Sequence, residues 1–283
     1  MLNELELKEK LTAAAYNLYR PLPEDDLQDL ITAMLQYIGT TDSVLRDDLI
    51  YSNFNQWILK HRLLSFNQLR ELACKAISDQ HIFYRMGEIE GDGVFTRSFS
   101  MLLLPLILIS HREHPYLSAS EIDQIKESLL RYGREEKDFR GFVKDKGWAH
   151  AAAHYADALD DLAQAVELKA PDLRYILSVI SPLVCRQDQA YGCGEEERFC
   201  APVLAILRRG LLSDSELVEW IQGFIDKTQN ISIYPDKLIL RSNIKGFLQS
   251  LYFRMKWEFT EHAILSVIEQ ALREINPYVM KDT

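Results

Sequence analysis

Apolar residues recur at i, i+3, i+4 and i+7 along nearly all of this chain, which is the spacing of one face of an α-helix. Only 12 glycines and 9 prolines interrupt the pattern in 283 residues, and they fall between the periodic segments. Capping boxes of the form Ser-x-x-Glu/Gln, which mark helix starts, begin at Ser65, Ser118 and Ser213. The sequence therefore predicts an all-α protein.

The predicted helices are joined by short connectors, and pairs of them recur at roughly 40 residues. This spacing is typical of an α-α superhelix, a HEAT/armadillo-like solenoid of about six helix pairs. Strong internal sequence identity does not accompany the repeat, so an α/α toroid or an irregular helical bundle stays open as the alternative. We expect residues 1–283 to form a single all-helical domain.

Composition and charge argue against several classes of function. The formal net charge is −10 and no Lys/Arg block compensates it locally, which opposes binding to nucleic acid. The four cysteines include no Cys-x-x-Cys pair, so we expect reduced thiols. The first residues lack a cationic start followed by an apolar core, which is the pattern of a secretory signal. We therefore expect a cytoplasmic protein without a nucleic-acid partner.

The segment from Val94 to Ser110 is so apolar that other helices must surround it. Its continuous apolar run, Met101 to Ile109, contains Pro105 and is far shorter than the about 20 residues that a membrane-spanning helix needs. The sequence predicts a buried central helix here and no membrane partner.

The segment from Lys144 to Val166 carries the candidate site. Placed on a helix, His150, His154, Asp157, Asp161 and Gln164 form one narrow polar stripe opposite the apolar residues. His150 and His154 are four residues apart, so both imidazoles can reach one divalent ion, and Asp157 can add an oxygen ligand. The alternative is the solvated face of an ordinary amphipathic helix. Flanking alanines favour a stripe that lines a crevice.

Arg97 lies one turn into the apolar helix that Asp92 is expected to cap. An unpaired buried guanidinium is costly, so Arg97 needs a carboxylate partner or an anionic ligand. Asp157 and Glu196 are the candidate carboxylates. We expect an internal ion pair.

Several motifs of the chain together resemble the bacterial domain of unknown function 2785 family. They are Leu45-Arg46-Asp47-Asp48-Leu49, the segment from Gly91 to Ser100, Arg140-Gly141-Phe142-Val143, Lys146-Gly147-Trp148-Ala149-His150 with His154 and Asp157, Glu196-Glu197-Arg198, and Asn243-Ile244-Lys245-Gly246-Phe247-Leu248. The resemblance extends over nearly the whole chain. It implies an all-α superhelical fold and, by the family's own name, no established activity. Tyr155 departs from the small residue associated with the family.

The leading functional hypothesis is a cytoplasmic α-solenoid that binds a protein or peptide segment, or a small ligand, in a concave groove. The helix from Gly147 to Asp157 would line that groove, without a cofactor. The expected ligand-binding residues are Arg97, Arg140, Lys146, Trp148, His150, His154 and Asp157. The alternative is a metal-dependent hydrolase in which His150, His154 and Asp157 hold a divalent ion that activates a water. Since common catalytic motifs such as His-Glu-x-x-His are absent, catalytic residues are not assigned and enzymatic activity stays open.

Overall fold

The computed structural model describes residues 2–231, 233–259 and 262–278. Their regular structure is almost wholly helical, which confirms the predicted all-α class. The chain divides into two compact units, residues 1–165 and 166–283. The solenoid arrangement and the single domain stay predictions.

Unit 1 comprises residues 1–165 and contains eight of the α-helices that the structure describes, two π-helical segments and one short hairpin. The elements are α1 (Glu4–Tyr16), α2 (Leu27–Gln36), a first π segment (Val44–Tyr51), α3 (Ser52–Asn55), a second π segment (Gln56–Lys60), α4 (Phe66–Ala76), α5 (Gly93–Met101), α6 (Leu103–Glu113), α7 (Ala119–Glu135), β1 (Phe142–Val143), β2 (Gly147–Trp148) and α8 (Ala151–Ala163). The capping boxes predicted at Ser65 and Ser118 are both formed, and they begin α4 and α7.

Helix α8 is the central element of unit 1. It packs against α5, α6 and α7, and buried residues occur all around it. The buried residues include polar ones, since His154 is 6% exposed and Asp161 is 9% exposed. The residues that are not fully buried, Asp157, Asp160 and Gln164, lie on one side of the helix, so the expected polar face is present but narrow and largely enclosed. Small alanines let neighbouring helices approach from several sides, and the polar side chains find partners among those neighbours.

Tyr155 of α8 is accommodated by a glycine on the neighbouring helix α7. A Cβ atom at Gly133 would lie 2.4 Å from the Tyr155 hydroxyl oxygen, so only glycine leaves room for the ring. The hydroxyl donates to the carbonyl oxygen of Leu129 over 2.8 Å. The tyrosine thus fills the contact between α7 and α8.

Helices α5 and α6 are separated only by a turn at Leu102. Together they form, within the described residues, one segment that is long and apolar enough to cross a membrane by length and composition. Its most apolar window is 89% buried inside the protein, as in the core helix of a globular protein. The predicted buried central helix is confirmed.

Unit 2 comprises residues 166–283 and contains α9 (Ala170–Val184), α10 (Glu195–Arg209), α11 (Asp214–Gln229), α12 (Asp236–Glu258) and α13 (Ala263–Ile275). The capping box predicted at Ser213 begins α11. The core includes Phe199, Phe224 and Phe247, which are at most 1% exposed. Asn243 of α12 holds the loop before α10, because its amide accepts from the Tyr191 backbone N–H and donates to the Gln189 carbonyl, both over 2.9 Å.

Candidate functional site

The hairpin before α8 determines where that helix begins. Strands β1 and β2 are antiparallel, with Phe142 opposite Trp148. Gly147 has φ 80°, and a Cβ atom there would lie 2.7 Å from the Cβ of Ser43. His150 has φ 49°, a left-handed conformation that no continuing α-helix contains. The helix predicted from Lys144 therefore starts only after His150.

His150 is held in an aromatic stack at the base of the hairpin. Its ring lies parallel to that of Trp148, with 4.1 Å between the ring centroids. The rings of Trp148 and Phe142 make a T-shaped contact with 5.1 Å between their centroids. Phe142 is 58% exposed. His150 is thus positioned by the hairpin.

His154 is a core histidine that connects α8 to α5. The Ser98 hydroxyl donates to the carbonyl of Ala149, and its oxygen lies 2.7 Å from Nδ1 of His154. A carbonyl oxygen can only accept, so we assign the hydroxyl proton to that bond and the second proton to His154 Nδ1, which donates to Ser98. The imidazole also meets the Phe99 ring edge-on at 5.1 Å. This arrangement stabilises the start of α8.

The structure does not assemble the predicted metal ligands into a metal centre. Within the described residues, no group of three or more His, Cys, Asp or Glu side chains is placed to hold an ion. His150 precedes the helix and stacks on Trp148, yet its ring centroid lies 5.7 Å from that of His154, so the two predicted histidine ligands are neighbours. Asp157 lies half-buried on α8. Asp157 does not join the two histidines in a group of three ligands, so the metal site stays a prediction.

The three cations predicted to bind a ligand all contact carboxylates of the chain itself. Arg97 is fully buried and forms a two-pronged pair with Glu136, with nitrogen–oxygen distances of 2.5 and 2.9 Å. Arg140 pairs with Asp138 at 2.6 Å, and Lys146 pairs with Asp92 at 2.6 Å. The partner of Arg97 is therefore neither Asp157 nor Glu196. Asp92 makes no side-chain hydrogen bond to cap α5. These contacts position the hairpin region against α5.

Asp161, a member of the predicted stripe, forms an ion pair with an arginine of a neighbouring helix. Its Oδ1 lies 2.7 Å from Nη2 of Arg112, which joins α8 to α6. Burial raises the pKa of Asp161 to about 6, although the Arg112 guanidinium acts in the opposite direction. The Asp161 carboxyl therefore titrates close to physiological pH.

An open cavity of about 910 Å³ lies elsewhere in unit 1. It is lined by α2, α4, the loop that follows α4 and one residue of α5, and the side chains include Thr32, Gln36, Cys74, Lys75, His81 and Tyr84. A second cavity of about 270 Å³ shares Thr32 and Gln36 and extends to Glu6 of α1. We call the two together the α2 groove. None of these residues was predicted as a site residue.

The α2 groove presents mainly neutral hydrogen-bonding groups. Burial, and secondarily the charge of Lys75, lowers the pKa of His81, so its imidazole is neutral at pH 7. Its Nδ1 lies 3.2 Å from the Ser78 hydroxyl. The polar run Ser78-Asp79-Gln80-His81 after α4 was a weak sequence signal for this site, but the contribution of α2 had no signal, because it depends on tertiary packing.

A family model described as "Protein of unknown function (DUF2785)" matches residues 82–253, more than half of the chain. The chain belongs to the DUF2785 family. The predicted resemblance is confirmed, over a narrower range than expected. No curated protein and no solved structure matches the chain. The DUF2785 match includes the hairpin, α8 and the Arg97–Glu136 pair, whereas most residues of the α2 groove precede it.

Proposed function

We propose that this DUF2785 protein is a binding protein that takes up an extended peptide segment in the α2 groove. The observation that carries the proposal is the sharing of Thr32 and Gln36 by the two cavities. Because they share these residues, the two cavities are adjacent along α2, and their lining runs from Glu6 to Tyr84. Such a surface suits a chain segment better than a compact small molecule.

The chemistry of the groove supports the same class of ligand. A peptide presents one N–H and one C=O group at almost every residue, and each loses water on binding. The hydroxyl of Thr32, the amide of Gln36 and the neutral imidazole of His81 can replace that water. The lining contains three carboxylates, Glu6, Asp29 and Asp79, and one cation, Lys75, so an anionic ligand is not favoured.

This proposal moves the expected groove away from the segment Gly147 to Asp157. Helix α8 is enclosed by its neighbours and has little surface to offer a ligand. In the proposal the protein acts in the cytoplasm, needs no cofactor, and has neither nucleic acid nor membrane as a partner. A HEAT/armadillo-like solenoid stays its expected architecture. The metal-dependent hydrolase is the weaker alternative, because no group of three or more His, Cys, Asp or Glu side chains among the described residues is placed to hold an ion.

The test is selection of a displayed peptide library on the immobilised protein, followed by fluorescence anisotropy with the selected peptides. Gln36→Trp places a bulky ring in the groove and should weaken binding at least about tenfold, which is about 1.4 kcal/mol. Gln222→Trp makes the same change on the exposed face of α11 and should leave the affinity unchanged. Equal affinities for the two variants, or no peptide selected above background, would contradict the proposal.

A further inference from the structure

A third cavity, of about 450 Å³, lies in unit 1 near the end of the second π segment, the start of α4 and the end of α6. Its lining includes Ile58, Leu64 and Leu69, which are 2%, 6% and 2% exposed, so the buried core forms part of its surface. Phe66 also lines it and is 49% exposed. We call this the Phe66 pocket. Its volume is within the range of small-ligand sites.

The aromatic wall of the pocket is held in place before any ligand binds. The Phe66 ring stacks on Tyr116 with 4.9 Å between centroids and 9° between the planes. The Tyr116 hydroxyl donates to the Ile107 carbonyl over 3.0 Å, and its backbone N–H donates to His111 Nδ1 over 3.0 Å. Because its position is fixed, little conformational entropy is lost when a ligand packs against the ring.

Arg62 places a positive charge at the pocket, where its partner is Glu113. Arg62 and His114 are the ionisable side chains of the described lining, which contains no acidic residue, although the chain carries a net charge of −10. Arg62 pairs with Glu113 at 3.0 Å, and the two side chains are 59% and 49% exposed. Ion pairs this exposed contribute little net stability. A ligand carboxylate can therefore replace Glu113 beside the guanidinium at small loss.

We propose that the Phe66 pocket binds an amphiphilic monocarboxylate, that is, a molecule with an apolar body and one carboxylate. The body packs against Phe66, Leu64 and Leu69, and the carboxylate pairs with Arg62. A cationic amphiphile would be repelled by the guanidinium, and a neutral one would gain only the apolar contacts. This site is distinct from the α2 groove and does not depend on peptide binding there.

The test uses the full-length protein and three probes with the same ten-carbon chain: decanoate, decanol and decyltrimethylammonium. Isothermal titration calorimetry below the micelle concentration should show one saturable site for decanoate, with weaker binding of the other two. Arg62→Glu should weaken the binding of decanoate at least tenfold and leave the affinity for decanol unchanged. Arg85→Glu is the matched control, because both arginines have left-handed φ (51° and 48°), similar side-chain exposure (59% and 60%) and a nearby glutamate partner.

Phe66→Ala is a second variant. Because it removes the exposed aromatic ring of the pocket, it should weaken the binding of both decanoate and decanol. Thermal melting establishes that each variant is folded. The proposal is overturned if decanoate does not saturate, if the three probes bind equally, if Arg62→Glu and Arg85→Glu have the same effect, or if Phe66→Ala binds like the wild type.

Discussion

Arg46 and Arg97 are both fully buried in unit 1, and their charges are stabilised in different ways. The Arg97 guanidinium faces the Glu136 carboxylate and the carbonyls of Tyr84 and Arg85. The Arg46 guanidinium donates to backbone carbonyls, lies between the rings of Phe95 and Phe99 at 4.4 and 4.6 Å, and has the adjacent Asp47 carboxylate at 2.8 Å. Replacing a partner should be most costly at Arg97, whose guanidinium makes two hydrogen bonds to one buried carboxylate.

Glu136→Gln should therefore destabilise the protein strongly. The amide keeps the size of the carboxylate but leaves the Arg97 charge uncompensated in the core, which costs about 3–5 kcal/mol when a buried pair is broken. Glu135→Gln is the matched control, because Glu135 pairs with Arg131 where both side chains are more than 40% exposed, and it should cost at most about 1 kcal/mol. Urea denaturation measures both changes. Similar losses would show that the Arg97–Glu136 pair has no special role.

The Asp161 carboxyl should make stability depend on pH. Its pKa is about 6 in the folded protein and about 3.9 when unfolded, so the folded state binds more protons between these values. The free energy of unfolding should therefore fall as the pH rises from 4 to 6. The Asn side chain of Asp161→Asn cannot ionise. Relative to this variant, the wild type should lose on the order of 1–3 kcal/mol of unfolding free energy between pH 4 and pH 7.

Denaturation curves of both proteins at pH 4, 5, 6 and 7 check this expectation. Asp226→Asn on the exposed face of α11 shows the general effect of removing one negative charge. If the difference between the wild type and Asp161→Asn does not change with pH, Asp161 does not titrate in this window.

At the scale of elements, the hairpin before α8 depends on Gly147. Gly147→Ala should reduce the free energy of unfolding by about 1–2 kcal/mol, because alanine is strained in the left-handed conformation. The loss should be larger still, because the new Cβ would lie 2.7 Å from the Cβ of Ser43. Gly87→Ala is a matched control, since Gly87 has φ 88° but no atom within 4 Å of the added Cβ. Thermal melting should show the larger loss for Gly147→Ala, and the reverse order would contradict the described contact.

The positions of the helices could be predicted because their signals are local. Ser65, Ser118 and Ser213 each begin a helix with the capping box that the sequence contains. The start of α8 could not be predicted, because the left-handed residue His150 and the contact of Gly147 with Ser43 depend on tertiary packing. The two π segments, Val44–Tyr51 and Gln56–Lys60, likewise have no local signal in the helical periodicity.

The candidate site was less predictable than the fold. Periodicity placed His154 and Asp161 on one stripe, but their partners Ser98 and Arg112 lie 56 and 49 residues earlier in the chain. A polar residue with a distant partner and a polar residue facing solvent look the same in a helical pattern. The α2 groove was missed for a related reason, since it is formed by helices that become neighbours only in the folded chain.

For the whole molecule, the two compact units predict two folding units. Each has its own buried core, so the fragments 1–165 and 166–283 should each melt cooperatively when produced alone. Circular dichroism with thermal unfolding of both fragments checks this. If neither fragment shows a cooperative transition while the full chain does, the single domain over residues 1–283 is the correct description.

The Arg46 guanidinium also has a consequence for the time course of synthesis. It donates to the carbonyls of Lys146 and Trp148, which are 100 and 102 residues later in the chain. At about 5–20 residues per second, a ribosome needs roughly 5–20 s to make that stretch. During this interval the arginine lacks acceptors that its buried position requires, so it must stay hydrated. The nascent chain therefore exposes part of its future core for seconds, which makes unit 1 a candidate client of chaperones that bind near the ribosome exit.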